Sequence, residues 1–236
     1  MTNPQHTTGG RPGGRPRDAG IATAVTAATL ELLENSAYFA VSVGEIARRA
    51  GTTRSAIYRR WSGRPELVLA AIESRLDTPL PPDTGCTLCD IADGLTLFLA
   101  AYRTIAPEVY SALYSECAAD PELRRRYLDT VIEPSRKAVR EMLLRAVDRG
   151  DLRDDVDIER MLDLIAAFVH YRALFGNHLD DEDAERAIET IMRGAAVDYD
   201  ALLAHSQSIQ GDHLDAAGAH HVHIDDVPSS SAIPEP

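Results

Sequence analysis

Residues 41–67, VSVGEIARRAGTTRSAIYRRWSGRPEL, constrain the fold of this chain more than any other stretch. Ser42 followed three residues later by Glu45 has the spacing of a capping box, so a helix begins there. Ile46 and Ala47 fall on its inward face. Ala50-Gly51 ends it, because glycine takes the left-handed turn without a Cβ penalty. Thr53 can cap a second short helix whose inward residues are Ala56, Ile57 and either the Arg60 stem or Trp61. A short helix, a tight glycine turn and another short helix make a helix-turn-helix.

The rest of the chain also reads as helix. From Gly20 to Asn35, Ile21, Val25, Ala28 and Leu32 recur at helical spacing, and no stretch alternates with period two for long. Breakers and caps divide the remainder into short helices at 42–49, 53–61 and 65–76. Longer ones follow the Pro79–Pro82 run, at about 87–105, 108–118, 121–149, 155–177 and 182–203. The expectation is an all-α chain of about nine helices. Residues 1–17 read as a disordered basic arm, 18–76 as the helix-turn-helix domain with its linking helix, 77–203 as a helical bundle, and 204–236 as a disordered acidic tail.

Net charge is −13 over 236 residues, which as an average argues against nucleic acid. The distribution says otherwise. Residues 1–76 carry ten Arg and six acids, net +4, and the other 160 carry 14 basic and 31 acidic groups, net −17. A basic head on an acidic body suggests two jobs, one of them facing an anion. Three cysteines are too few for a disulfide scaffold, and no window is apolar enough to span a membrane. No apolar secretory leader is evident, so a cytoplasmic protein is expected.

Residues 21–67 resemble the N-terminal domain of the TetR family of transcriptional regulators, through the string IA-x-x-AG-x-(S/T)-(R/K)-x-x-(I/L)-Y-x-x-(F/W). Ala37 stands where that family usually has Gly, and Trp61 where it usually has Phe. The resemblance covers about the first third of the chain. It implies that Thr53, Tyr58 and Arg64 clamp phosphates while Thr52, Arg54, Ser55 and Arg59 lie nearest the bases, with Ser42 and Arg60 alongside. Elementary chemistry agrees: short hydroxyls at a helix start suit phosphate, and Arg suits guanine O6 and N7. The arm adds Gly10-Arg11-Pro12 and Gly14-Arg15-Pro16-Arg17, similar to the core of an AT-hook. There Arg15 and Arg17 would lie in an A·T minor groove; a plain electrostatic arm is the competing reading.

Residues 120–175 are similar to the regulatory domain of one branch of the same family. The resemblance implies a bundle that holds an apolar effector pocket and pairs its last two long helices in a homodimer. Periodicity nominates Phe98, Tyr102, Tyr110, Tyr114, Cys117, Phe168 and Arg172 for the pocket. A buried Arg172 needs a carboxylate, either an internal one such as Glu116, Glu133 or Glu141, which is favoured, or that of an acidic ligand. The dimer seam is assigned to Ile165, Val169, Ile188, Ile191, Ala195 and Tyr199, on a helix apolar around much of its circumference and on a small-residue stripe.

Cys86-Thr-Leu-Cys89 has redox or zinc spacing but no second half-site. His220-His221-Val222-His223 lies in the tail. No nucleophile elbow, phosphate loop or zinc-protease motif is present, so no enzyme, metal or cofactor is expected. The expected partners are a double-stranded DNA operator, a small-molecule effector and a second copy of the chain. The function implied is transcriptional regulation, with a ligand-independent DNA-architectural protein as the alternative.

Overall fold

The computed structural model describes residues 15–175 and 180–214, with backbone alone at 15–19 and 210–214. Four helices form the head: α1 (Arg15–Asn35), α2 (Val43–Arg49), α3 (Arg54–Tyr58) and α4 (Arg64–Glu73), with a 3₁₀ turn at Tyr38–Ala40. Ser42 Oγ accepts the Glu45 amide at 3.2 Å, so α2 starts where its sequence says. Glu45 does not close the reciprocal half of the box; its carboxylate receives Arg48 Nε at 3.0 Å instead. The end of α2 is a Schellman turn, with Gly51 at φ 63° and the amides of Gly51 and Thr52 returning to Arg48 O and Ala47 O. Thr53 Oγ1 then accepts the Ala56 amide at 3.1 Å and opens α3. Val25, Leu33, Ile46, Ile57, Trp61, Leu67 and Ile72 bury the inner faces of all four helices.

The body comprises α5 (Thr87–Thr104), α6 (Pro107–Cys117), α7 (Pro121–Tyr127), α8 (Glu133–Asp148), α9 (Ile158–Leu174), α10 (Asp181–Ala195) and α11 (Tyr199–Leu214). Helix α5 is its axis, packed against α8, α9, α10 and α11. Gly94 lets α8 come close: a methyl there would meet Met142 Cε at 3.2 Å and Val139 Cγ2 at 3.4 Å. Helices α7 and α8 are continuous through one π turn at Leu128–Ile132, just before Pro134. Proline has no amide to give its i−4 carbonyl, and widening the turn accommodates that loss. Taking α7 and α8 as one rod, the described residues hold ten helical rods, and the one β contact among them is an isolated bridge.

Three expectations about the chain's course are corrected. The last expected helix is two, because Leu152 and Ala196 pair as that antiparallel bridge, with Arg153 N to Ala195 O at 2.9 Å and Val197 N to Asp151 O at 3.0 Å. Helix α11 runs past Leu203 to Leu214, into the segment read as tail. Helix α1 begins at Arg15, so the second Gly-Arg-Pro repeat ends inside a helical first turn, where proline is tolerated. Its Arg15 and Arg17 are therefore not on an extended arm; their side chains, Gly10-Arg11-Pro12 and the His220–His223 tract lie outside the described residues.

Candidate nucleic-acid interface and effector site

Helix α3 presents Thr53, Arg54, Ser55, Tyr58 and Arg59 to solvent, with Ser42 exposed beside them and Thr52 half-buried in the turn. Tyr58 is an exposed large aromatic whose ring has no apolar duty, so its phenol is available outward. The guanidinium of Arg54 lies over Gly44, whose missing side chain leaves room for it on the α2–α3 face.

Two expected contacts are corrected. Arg60 turns back and donates Nη1 to Ala56 O at 3.0 Å, closing the end of α3 instead of facing outward. Arg64 is committed inside the protein: it is ion-paired to Glu116 on α6, and its guanidinium sits 4.9 Å from the Tyr38 ring centroid and 5.5 Å from that of Phe39. Glu116 also accepts the Tyr38 hydroxyl at 2.7 Å. Burial first, then the carboxylate beside it, push the Tyr38 phenol well above its ordinary range, so it remains a donor. A parallel tie runs from Arg126 on α7 to Glu66 on α4 at 2.7 Å. Burial opposes charge on Glu66, but the Ser62 amide at 2.6 Å and Arg126 outweigh it and hold the carboxyl below its ordinary value. The head is thus fastened to α6 and α7 by two ion pairs that no local pattern announces.

In the body, Phe98, Tyr102, Tyr110 and Cys117, four of the residues nominated for the pocket, are buried in the core. Burial pushes the Cys117 thiol up to about 11. Tyr102 and Tyr110 meet edge to face at 5.4 Å, and the Tyr110 hydroxyl donates to Ala101 O at 2.9 Å. The missed residue is His170 on α9. Its Nδ1 lies 2.8 Å from the Tyr102 hydroxyl, and Phe98 packs against its ring at 5.8 Å. Burial pushes the Tyr102 phenol up to about 12. Burial, then Arg136, lower the imidazole's pKa. Both groups are therefore neutral at pH 7. With Tyr102 donating to Nδ1, the proton sits on Nε2, which is buried with no partner among the described residues.

Of the other three pocket candidates, Phe168 and Arg172 are half-buried. Tyr114 is exposed, its ring tilted against that of Tyr127 at 5.3 Å. Phe168 lines an open groove between α9 and α10, with Leu164, Ala187 and Ile191. Arg172 has the internal carboxylate favoured for it, and its partner is Asp183 on α10.

The seam residues are partly corrected. Ile165, Val169, Ile188 and Ala195 are buried within the single chain and have no area left to give a partner. Tyr199 is half-buried on α11 beneath the Arg193 guanidinium, 4.5 Å from its ring centroid. The helices α9 and α10 do carry an apolar face on their opposite side: Leu164, Tyr171 and Phe175 on α9 are exposed, beside the half-buried Phe168 on α9 and Ala187 and Ile191 on α10.

A glycine-turned pair of short helices, capped at both starts and presenting hydroxyls and arginine from the second, defines a helix-turn-helix DNA-binding protein. The bacterial TetR-family model matches residues 25–71, and the tetracyclin-repressor-like C-terminal domain matches 81–191. The helix-turn-helix transcriptional regulator YdeS of Bacillus subtilis (strain 168) is 30% identical over 183 residues, 77% of this chain and 92% of its own. The DNA-binding transcriptional repressor TetR of Mycobacteroides abscessus is 27% identical over 172 residues, 72% and 90% of the two chains. A TetR transcriptional regulator from Agrobacterium tumefaciens shares the fold at TM-score 0.57 and 21% identity, over 75% of this chain and 95% of its own. The chain belongs to the TetR family of DNA-binding transcriptional regulators. No helix among its described residues is long and apolar enough to cross a membrane.

Proposed function

We propose that the protein is a cytoplasmic homodimeric repressor, released from a palindromic operator by a small molecule that binds in its body. The observation that carries the DNA reading is the solvent-facing row Thr53, Arg54, Ser55, Tyr58 and Arg59 on a helix rigidly seated by Ile57 and Trp61. Reading two half-sites requires the two α3 helices of a dimer joined through α9 and α10 to lie about 34–36 Å apart, one turn of duplex. The head is residues 18–76 and the body runs from 77 to at least 203, with α11 continuing it.

Footprinting on genomic fragments tests this reading: one palindromic protected site supports it. Broad A·T-rich protection would favour an architectural protein, and no protection would defeat both. Tyr58→Phe should weaken binding to every duplex by a similar factor, about 10–150-fold for one hydrogen bond to a charged phosphate. A changed base preference, read by competition between operator variants, would move Tyr58 from the backbone to the bases.

The effector is assigned to the Tyr102–His170 region. An unpaired N–H in an aromatic interior is a standing cost of about 1–3 kcal/mol, which a ligand's carbonyl or phenolic oxygen would recover. His170→Phe removes that donor. The change also leaves the buried Tyr102 hydroxyl without its acceptor, so the two effects offset and the melting midpoint of the free variant should move little, while effector-driven release from the operator is lost. A variant that still responds normally would place the effector elsewhere.

A further inference from the structure

Cys86 and Cys89 are joined as a disulfide, with Cα atoms 5.2 Å apart, at the point where the head-to-body linker enters α5. Cys86 is the N-cap of that helix, and the Cys89 amide donates to its Sγ at 3.3 Å. The end of the linker is tied into the same knot. Thr84 gives its amide and its hydroxyl to the buried Asp90 carboxylate, each at 2.7 Å, and Thr84 Oγ1 accepts the Cys86 amide at 3.2 Å. On its other side Cys89 Sγ lies 3.7 Å from Ser206 Oγ, a buried hydroxyl on α11.

A bridge made for stability closes a long loop, because its effect comes from the freedom it removes from the unfolded chain. This one spans three positions and removes little. Its placement instead has the attributes of an exchangeable pair: a helix N-terminus and an amide aimed at the capping sulfur, both of which favour thiolate, and a partner cysteine that is only partly buried where Cys86 is fully buried.

We propose that Cys86 and Cys89 are a reversible dithiol–disulfide couple, exchanged by low-molecular-weight disulfides, whose state sets how firmly the linker and α11 are held to α5. In the oxidising direction the Cys89 thiolate attacks one sulfur of the small disulfide RSSR. A mixed disulfide forms and RS⁻ leaves. The Cys86 thiolate then attacks Cys89 Sγ and expels the second RS⁻. The two cysteines lose two electrons and two protons; RSSR gains both and becomes two RSH. The protein's third cysteine, Cys117, is fully buried on α6 and takes no part. In the disulfide, Cys89 can only accept from Ser206. In the dithiol it also carries a proton to donate, and the ring that pins the α5 start is open.

The full-length protein, equilibrated in buffers running from reduced to oxidised glutathione and quenched with an alkylating reagent, reads the couple by mass. Cys86 and Cys89 should lose both alkylation sites together, in one two-electron transition reversed by dithiothreitol, and Cys117→Ala should show the same transition. Amide exchange at 77–86 and 199–209 should be several-fold faster in the reduced protein, and Cys89→Ser should exchange at the fast rate under every buffer. Two sulfurs that stay alkylatable in oxidised glutathione, or that bridge only between molecules, overturn the couple. Exchange rates equal in the two states overturn its hold on the linker and α11.

Discussion

Leu164→Asp combined with Tyr171→Asp will leave the protein folded but monomeric. Both side chains are mostly exposed in the single chain, at 60% and 58%, so the isolated subunit has little to lose. They project from the uncovered side of α9 beside Phe168 and Phe175, facing Ala187 and Ile191 on α10. A two-fold seam uses each residue twice. Fully burying a large apolar side chain is worth about 1.5–3 kcal/mol, so four that are still about 60% exposed contribute roughly 4–7 kcal/mol. That is half or more of the difference of about 8 kcal/mol between a nanomolar and a millimolar dimer. Desolvating the four new carboxylates adds to the loss. Sedimentation velocity should show one monomeric species with an unchanged helical circular dichroism spectrum. Affinity for a palindromic duplex should fall by about 10²–10⁴-fold, because the second half-site is no longer tethered to the first. A variant that stays dimeric would put the seam on another face. Ile165→Asp and Val169→Asp are the opposite control: both positions are buried, so those changes should unfold the subunit instead of separating it.

That contrast shows what the sequence can and cannot disclose. Helix-turn-helix geometry was legible because each of its joints is local: Ser42 caps α2, Gly51 turns, Thr53 caps α3, all within twelve residues of one another. Helix α9 was legible as a helix, and in the single chain its wide apolar circumference divides into one buried side and one exposed side. Which side faces the chain's own core depends on where α5 and α8 lie, and periodicity carries no information about that. Long-range pairings hid the rest. Arg64 reads as a phosphate ligand until Glu116, 52 positions away, is seen to hold it. His170 looks like one polar residue in an apolar run until Tyr102, 68 positions away, is placed against it. Ala196 breaks a good helical stripe only because Leu152 pairs with it.

Glu116→Ala should destabilise the protein by about 2 kcal/mol and loosen the head from the body. The carboxylate receives both Arg64 and the Tyr38 hydroxyl, with the paired side chains about a quarter exposed, 23% and 25%. Such a site stands between an exposed ion pair, worth about 0–1 kcal/mol, and the loss of one partner from a buried pair, about 3–5 kcal/mol. For a chain of this size the melting midpoint should drop by about 4–8 °C. Pairing it with Arg64→Ala in a double-mutant cycle should return a coupling of about 0.5–3 kcal/mol, whereas independent residues would simply add. The same variant decides what Arg64 does on DNA. Its guanidinium keeps the Tyr38 and Phe39 rings after Glu116 is gone, so the salt dependence of duplex binding should be unchanged. A slope steeper by about one would mean that a freed Arg64 has reached a phosphate, and the clamp expected from the family resemblance would be restored. Acid probes the second tie. Glu66 has its carboxyl held below the ordinary 4.5, so its contribution is complete above that value and is lost as pH falls through the lower folded one. In Glu116→Ala, acidification below 4.5 should therefore split melting into two steps, the head leaving first. A single transition at every pH would show that the apolar contact of α4 and α6 holds the two parts together without either ion pair.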